Sequence, residues 1–357
     1  MIKAILDCNT NFTCNRRLFK DEALTDIAIT FNNLDGLGWL KYEVTYDSEL
    51  KLFPREKLST IKYYKTGFQS SKTIFERKRA EHVLSVLDED FSQFFDILPF
   101  DKPFLSTIDV HGATFSKLKQ WKDAVKKCSD SIVIVNMFNI PLQNTIESLK
   151  GANEQKKMFI QSFVKASDIS ISDFAYDKSV RIDLSNNDNK INEKALLDLS
   201  GFIDAFKLAT NYNGVIVPSL LFDSSGTKKV EAIASYIYDS LIEGKLLVID
   251  ELDNGLHYSL TRAIVSLFNN MLNRKGQLLF TAHDLLLIDC KNLLRKEQIY
   301  FVTRSNETAK LDTLKSFKAN KEHLREGDSL IKRYNHGDFG KVPSPKFVRE
   351  LIALLNN

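Results

Sequence analysis

The chain has 357 residues, 43% hydrophobic and 27% charged, with a formal net charge of +3. That length allows a sizeable core and predicts two lobes, and the composition places it among soluble globular proteins. No apolar run approaches the ~20 residues of a membrane span. The N-terminus carries no basic-then-apolar signal peptide, so a cytoplasmic location and no membrane partner are expected. Near-neutral charge neither demands nor rules out nucleic acid.

Met1–Leu6 reads as a piece of helix with no capping residue in front of it. Residues 24–66 read as a β-meander: Ile27, Ile29 and Phe31 alternate, Leu40, Tyr42, Val44 and Tyr46 alternate, and Ile61, Tyr63 and Tyr64 mark a third strand. Asp35-Gly36 and Asp47-Ser48 supply the turns. From about residue 72 to 165 the spacing predicts helix. Val83, Leu84, Leu87, Phe91, Phe94, Phe95 and Leu98 recur at three- and four-residue intervals, a Phe-rich stripe that reads as core. The Lys-rich stretch 117–127 reads as a solvated helix face. Cysteines at 8, 14, 128 and 290 form no C-x-x-C pair and read as reduced thiols.

A polar loop is expected at 185–194, after which strand and helix alternate. Val215–Phe222, Leu246–Ile249, Leu278–Thr281 and Ile299–Val302 are the strand candidates. Val230, Ile233, Ala234, Ile237 and Leu241 mark one helix; Leu260, Ile264, Leu267, Phe268 and Met271 mark another. Such alternation implies a parallel α/β sheet.

Chemistry concentrates in this last region. Leu246-Leu-Val-Ile runs straight into Asp250 and Glu251, with Asp253 and His257 close behind. A buried strand that ends in adjacent acids delivers them to a site at its carboxyl end. Gln277-Leu-Leu-Phe-Thr-Ala-His283 is a second apolar run ending in a histidine. Upstream, Ser224-Ser225-Gly226-Thr227 opens a helix, where backbone N–H groups and hydroxyls suit a phosphate.

In this order and spacing, Gly226–Asp284 resembles the ABC/SMC-type branch of the P-loop ATPases. More closely, it resembles the AAA-type ATP-binding proteins related to the OLD-family and phage-defence ATPases. Ala166–Phe174, Gln298–Val302 and Tyr334–Pro343 extend the resemblance to residues 1–345. It implies an α/β, ABC-ATPase-head-like fold: a mostly parallel sheet with an N-terminal antiparallel β-meander and an inserted helical lobe. The expected regions are 1–70 (remnant of a first helix plus meander), 71–200 (helical lobe and connection) and 201–357 (ATPase core). The implied cofactors are ATP and Mg²⁺. By resemblance Asp250 holds Mg²⁺ in the Walker B element and Glu251 polarises the attacking water. Asp253 lies in the D-loop at a dimer interface, and His283 is the switch histidine at the γ-phosphate. Ser224, Ser225, Gly226 and Thr227 form the signature loop over ATP bound to a second protomer. A homodimer coupled to a separate effector is implied by the same resemblance, with phage defence or DNA-related work as the setting.

One family element is missing: no G-x-x-x-x-G-K-[ST] phosphate loop occurs in these residues. Gly244-Lys245 and Gly340-Lys341 lack the following Ser or Thr. Met1–Leu6 resembles the helix that continues from that loop in relatives, so the chain is expected to begin just after it. Two other functions remain open on sequence grounds. One is a catalytically silent interaction module. The other is a metal-dependent nuclease using Asp250, Glu251, Asp253 and His257, although carboxylates for a two-metal site usually converge from several elements.

Overall fold

The computed structural model describes residues 24–33, 36–67, 69–108, 115–168, 170–179, 201, 203–288, 293–304, 309–317, 329–339 and 351–352. The expected Met1–Leu6 helix, the polar loop at 185–194, Cys8, Cys14, Cys290 and residues 340–343 lie outside them. The described residues fall into two compact units, one ending at Ile132 and the other running from Val133 to Arg304 and on from Ala309. This single division differs from the expected boundaries at 70/71 and 200/201.

The first unit is built on a six-stranded antiparallel sheet in chain order. Its strands are β1 (Leu24–Asn33), β2 (Gly38–Asp47), β3 (Leu52–Tyr63), β4 (Gln69–Lys78), β5 (Val83–Val86) and β6 (Glu89–Asp90). Leu40, Tyr42, Val44 and Tyr46 are buried in alternation, the period-two pattern of the expected meander. Asp47 Oδ1 accepts the N–H groups of Glu49 and Leu50 at 2.8 and 2.9 Å and so shapes the turn after β2. Helices α1 (Phe104–Thr107) and α2 (Lys119–Asp130) follow the sheet.

The structure corrects the helix expected from residue 72 onward. Residues 69–78 and 83–86 are strands. Leu87 and Asp88 have φ of 50° and 66°, two successive left-handed residues that close a two-residue hairpin into β6. Phe91 and Phe94 then turn back to lie with ring centroids 5.5 and 6.0 Å from Phe115. The aromatic stripe is core, but a hairpin and a short turn carry it rather than a helix.

A buried ion pair crosses this unit. Glu56 is fully buried and Arg77 is 1% exposed, with Arg77 Nη2 3.1 Å from Glu56 Oε2. Glu56 also accepts from Tyr42 OH and from the Phe104 N–H, each at 2.6 Å. Arg77 donates to the carbonyls of Pro99 and Lys102 at 2.8 and 3.0 Å and lies over the Phe100 ring.

The second unit begins within β7 (Ile132–Asn136), a strand inside the region expected to be helical. It continues through α3 (Gln143–Lys150), α4 (Glu154–Ser167), β8 (Ile171–Tyr176), β9 (Leu208–Tyr212), β10 (Val215–Pro218), α5 (Ser219–Phe222) and α6 (Ser225–Glu243). Then come β11 (Leu246–Asp250), α7 (Tyr258–Phe268), β12 (Gln277–Phe280), β13 (Tyr300–Arg304), β14 (Ala309–Thr313) and α8 (Leu330–Asn335). One sheet has the order β12-β11-β7, with β11 and β12 parallel from Leu246 opposite Gln277 to Ile249 opposite Phe280. A second, β10-β9-β8, is antiparallel, and β13 pairs antiparallel with β14.

Leu247 and Ile249 of β11 are buried among Val135 of β7, Ile233 and Ile237 of α6, and Ile264 and Val265 of α7. Helix α6 thus faces the β11 sheet with one set of residues. With Val230 and Ala234 it joins a second core containing Ile146, Ile160, Phe174 and Leu208. Its end is set by Gly244 at φ 80°, a left-handed cap that turns the chain into β11. The expected strand Val215–Phe222 stops at Pro218, beyond which Ser219–Phe222 forms a single helical turn. Among the described residues no helix is long and apolar enough to cross a membrane.

Candidate functional site

Backbone pairing brings Asp250 and Glu251 to the carboxyl end of β11, the central strand of its sheet. Thr281 N–H donates to Ile249 O at 3.0 Å on one side of β11, and Met137 N–H donates to Asp250 O at 3.1 Å on the other. Glu251 then leaves the strand in a left-handed conformation, φ 54°. For a non-glycine residue that costs about 1–2 kcal/mol. Neighbouring contacts hold it there: Glu251 N–H donates to Thr281 Oγ1 at 2.8 Å, and the fully buried Leu252 donates its N–H to Thr281 O at 2.9 Å. The kink leaves the Glu251 side chain 41% exposed beside the exposed Asp250.

Each acid has fixed partners. Asp250 Oδ1 accepts from Thr281 Oγ1 at 2.8 Å, and Oδ2 from Asn136 Nδ2 at 3.3 Å. Glu251 Oε2 accepts from Asn254 Nδ2 at 2.9 Å, while Oε1 lies 3.8 Å from His283 Nε2. Asp253 turns inward: its Oδ2 accepts the N–H groups of His283 and Asp284 at 2.9 and 2.8 Å, and its buried Oδ1 has no hydrogen-bond partner among the described residues. Asp253 therefore holds the backbone that carries His283, whose ring is 86% exposed. His257 caps α7, its Nδ1 accepting from the Ser259 N–H at 3.3 Å.

The Ser224–Thr227 loop forms the start of α6. Ser224 is the cap, its Oγ accepting the Thr227 N–H at 3.1 Å and lying 2.9 Å from Thr227 Oγ1. Gly226 abuts the turn after Glu251 so closely that a Cβ there would stand 2.9 Å from Gly255 O. Among the described residues no hydrogen bond joins Ser224, Ser225 or Thr227 to Asp250, Glu251 or His283. The structure therefore brings Asp250, Glu251, Asp253 and His283 together and sets the loop against their supporting turn. Thr281, Asn136, Asn254 and Lys229 are the site residues that sequence reasoning missed. Asn136 had a visible signal: it ends the apolar run Ile132–Val135 as Asp250 ends its own.

The donor set suits a hard cation. Asp250 offers an oriented, exposed carboxylate with the Thr281 hydroxyl beside it. Among the described residues no three His, Cys, Asp or Glu converge on one point. Magnesium commonly takes one or two carboxylates and completes its shell with phosphates and water. These residues fit that arrangement and do not form a two-metal centre of the protein's own.

A second acidic pair lies under the loop. Glu231 of α6 is fully buried and Asp223, directly before Ser224, is 5% exposed. Thr210 and Tyr212 of β9 donate to Asp223, and Ser219 donates to Glu231. Burial, then the hydrogen bond to Asp223, pushes the Glu231 carboxyl up to about 9. Burial also pushes Asp223 up, but hydrogen bonds from Glu231, Thr210, Tyr212 and Ser219 outweigh it and hold the group below the usual carboxylate range. The pair thus shares one proton at neutral pH. The folded chain keeps the Glu231 proton that the unfolded chain releases near 4.5. Its contribution to stability is therefore complete below that value and declines as pH rises towards about 9. Urea unfolding at pH 5 and pH 8.5 checks this: the wild-type midpoint falls more over that interval than that of Glu231→Gln, and equal falls would refute it.

Among solved structures, the chain resembles an SMC head bound to the C-winged helix domain of ScpA, with a TM-score of 0.44 at 14% identity over 87% of this chain and 85% of that one. No curated protein sequence matches it. Residues 40–289 match the model of one protein family, and the chain belongs to that family, described as "AAA domain, putative AbiEii toxin, Type IV TA system".

Proposed function

We propose that the chain supplies the metal- and water-handling half of an ATP site in an ABC/SMC-like ATPase that works as a head-to-tail homodimer. The observation that carries this reading is the junction of β11 and β12. There Asp250 and Glu251 leave one strand while Thr281 and His283 follow the parallel neighbour, and hydrogen bonds join the two sets.

Asp250 is the ligand for Mg²⁺, held in orientation by Thr281 and Asn136. Bound magnesium supplies neutralisation of the charge that develops on the phosphate oxygens. Glu251 orients and deprotonates the attacking water, with Asn254 fixing one carboxylate oxygen. His283 is the γ-phosphate contact, placed by Asp253 through its backbone. Ser224, Ser225, Gly226 and Thr227 offer the N-terminus of a 19-residue helix to the triphosphate held by the second protomer. The 253–257 turn meets that protomer as well. Cycles of closure and opening drive a separate effector in the cytoplasm, in a phage-defence setting.

The phosphate loop is not among these 357 residues, and in this reading ATP turnover belongs to an assembly that supplies one. That absence favours a second reading, in which the family scaffold serves as a silent interaction module. Calorimetry tests the half-site directly. ATP added to the 357-residue chain alone gives no saturable binding at nanomolar to micromolar concentrations, because phosphate-loop contacts are most of what holds a triphosphate. Tight binding by this chain alone contradicts the half-site. Tight binding without hydrolysis in the loop-bearing assembly establishes the silent module.

A further inference from the structure

The turn after Glu251 is held from a direction neither strand supplies. Lys229 lies one turn into α6, on the helix that Ser224–Thr227 begins. Its Nζ is 2.8 Å from Asn254 O and 2.8 Å from Asn254 Oδ1. With the amide oxygen engaged by an ammonium, the amide nitrogen must point the other way, and Asn254 Nδ2 donates to Glu251 Oε2 at 2.9 Å. A second contact runs alongside. Gly226 presses on Gly255 O, and Gly255, at φ 70°, packs so close to Lys229 that a Cβ there would stand 2.8 Å from Nζ. The start of α6 and the 251–255 turn thus meet once through backbone and once through a chain of charged and amide hydrogen bonds.

We propose that Lys229 and Asn254 are positioning residues that couple the Ser224–Thr227 loop to the Glu251 carboxylate. The inference rests on the proposed phosphate-binding role of that loop and water-orienting role of Glu251, and it adds the link between them. A displacement of the α6 start, as when its loop closes on a nucleotide held by a second copy, moves the Lys229 ammonium. Hydrogen bonds of 2.8 Å do not survive a shift of about 1 Å without weakening steeply. Asn254 then loses the partner that orients it, and Glu251 loses its donor. Misplacing a group that aligns a reactant by about this distance can cost orders of magnitude in rate. Each site's water-orienting carboxylate would in this way respond to whether the neighbouring site is closed.

Two measurements test the link, one of them without nucleotide. Asn254 N–H donates to Glu251 O at 2.9 Å and Leu256 N–H to Asp253 O at 3.3 Å, so their exchange with solvent reports the turn. In the 357-residue chain, Lys229→Met raises amide exchange across 251–257 roughly tenfold and leaves β11 unchanged, and Lys229→Arg, which keeps a donor, restores protection. In the assembly that carries a phosphate loop, Lys229→Met lowers kcat about tenfold, leaves KM for ATP unchanged and adds no loss on top of Glu251→Gln. Unchanged exchange at 251–257 overturns the proposal, and so does a kcat loss that adds in full to that of Glu251→Gln. The two levels separate cleanly. If Glu251→Gln keeps wild-type turnover, the ATP-site reading falls; if it stops turnover while Lys229→Met does not, only the coupling falls.

Discussion

Glu251→Gln is expected to lower ATP turnover of the loop-bearing assembly by about 10²–10⁴-fold, the range for loss of a positioned general base. The substitution removes charge and basicity while leaving the shape in place. Gln keeps an oxygen to accept from Asn254 Nδ2, and the backbone bonds from Glu251 N–H to Thr281 and from Leu252 N–H to Thr281 O do not depend on the side chain. The side chain is also 41% exposed, so stability should change by less than about 0.5 kcal/mol, as for other surface replacements. ATP-driven association is retained and persists, because the step that releases it is blocked. Steady-state turnover together with light scattering checks both halves. Unchanged turnover removes Glu251 from the role of general base.

Glu56→Ala is expected to cost the first unit about 3–5 kcal/mol, the range for breaking a buried ion pair on one side. Glu56 is the common acceptor for Tyr42, Arg77 and the Phe104 backbone, so its removal takes one buried acceptor from three donors at once. The guanidinium keeps the Pro99 and Lys102 carbonyls, but its charge loses the only carboxylate it pairs with among the described residues. Replacing both partners with apolar residues is expected to cost less than Glu56→Ala alone, because no uncompensated buried charge remains. Both tryptophans of the chain, Trp39 and Trp121, lie in this unit. Denaturant unfolding followed by tryptophan fluorescence therefore reads it selectively. A loss below about 1 kcal/mol, typical of an exposed pair, would show that the network is dispensable.

The positions of the candidate site's acids were more legible in the sequence than the strands of residues 69–90. Leu246–Ile249 announces a buried strand, and the polar residues after it can only be delivered at its end. Asp250, Glu251 and, by the same logic on β12, His283 could therefore be placed from local pattern. Residues 83–98 could not. Their apolar spacing fits a helix, and the turn that makes them a hairpin uses Leu87 and Asp88 at positive φ, without the Asn-Gly signal that usually betrays such a turn. The pairings of the supporting residues were invisible for a different reason. Asn136 meets Asp250 across 114 positions, Thr281 meets Asp250 across 31 and Lys229 meets Asn254 across 25, and no periodicity links residues so far apart. Asp253 shows the limit from the other side: resemblance places it in a D-loop at a dimer interface, and nothing local in the sequence announces that its carboxylate accepts from the amides of His283 and Asp284 within its own chain.

In the proposed dimer one protomer's acids and another's Ser224–Thr227 loop make one site. Mixing two inactive variants tests it most directly. Ser225 is exposed, so Ser225→Arg blocks the loop without disturbing the Gly226–Gly255 contact, and Glu251→Gln disables the acids. Each variant alone is expected to be inactive in the loop-bearing assembly. Combined in equal amounts before ATP is added, half of the dimers pair one variant with the other, and one of the two sites in each has both parts intact. Turnover should return to roughly a quarter of the wild-type value, as symmetric head-to-tail pairing requires. No recovery on mixing, or full activity of Ser225→Arg by itself, would contradict the shared site.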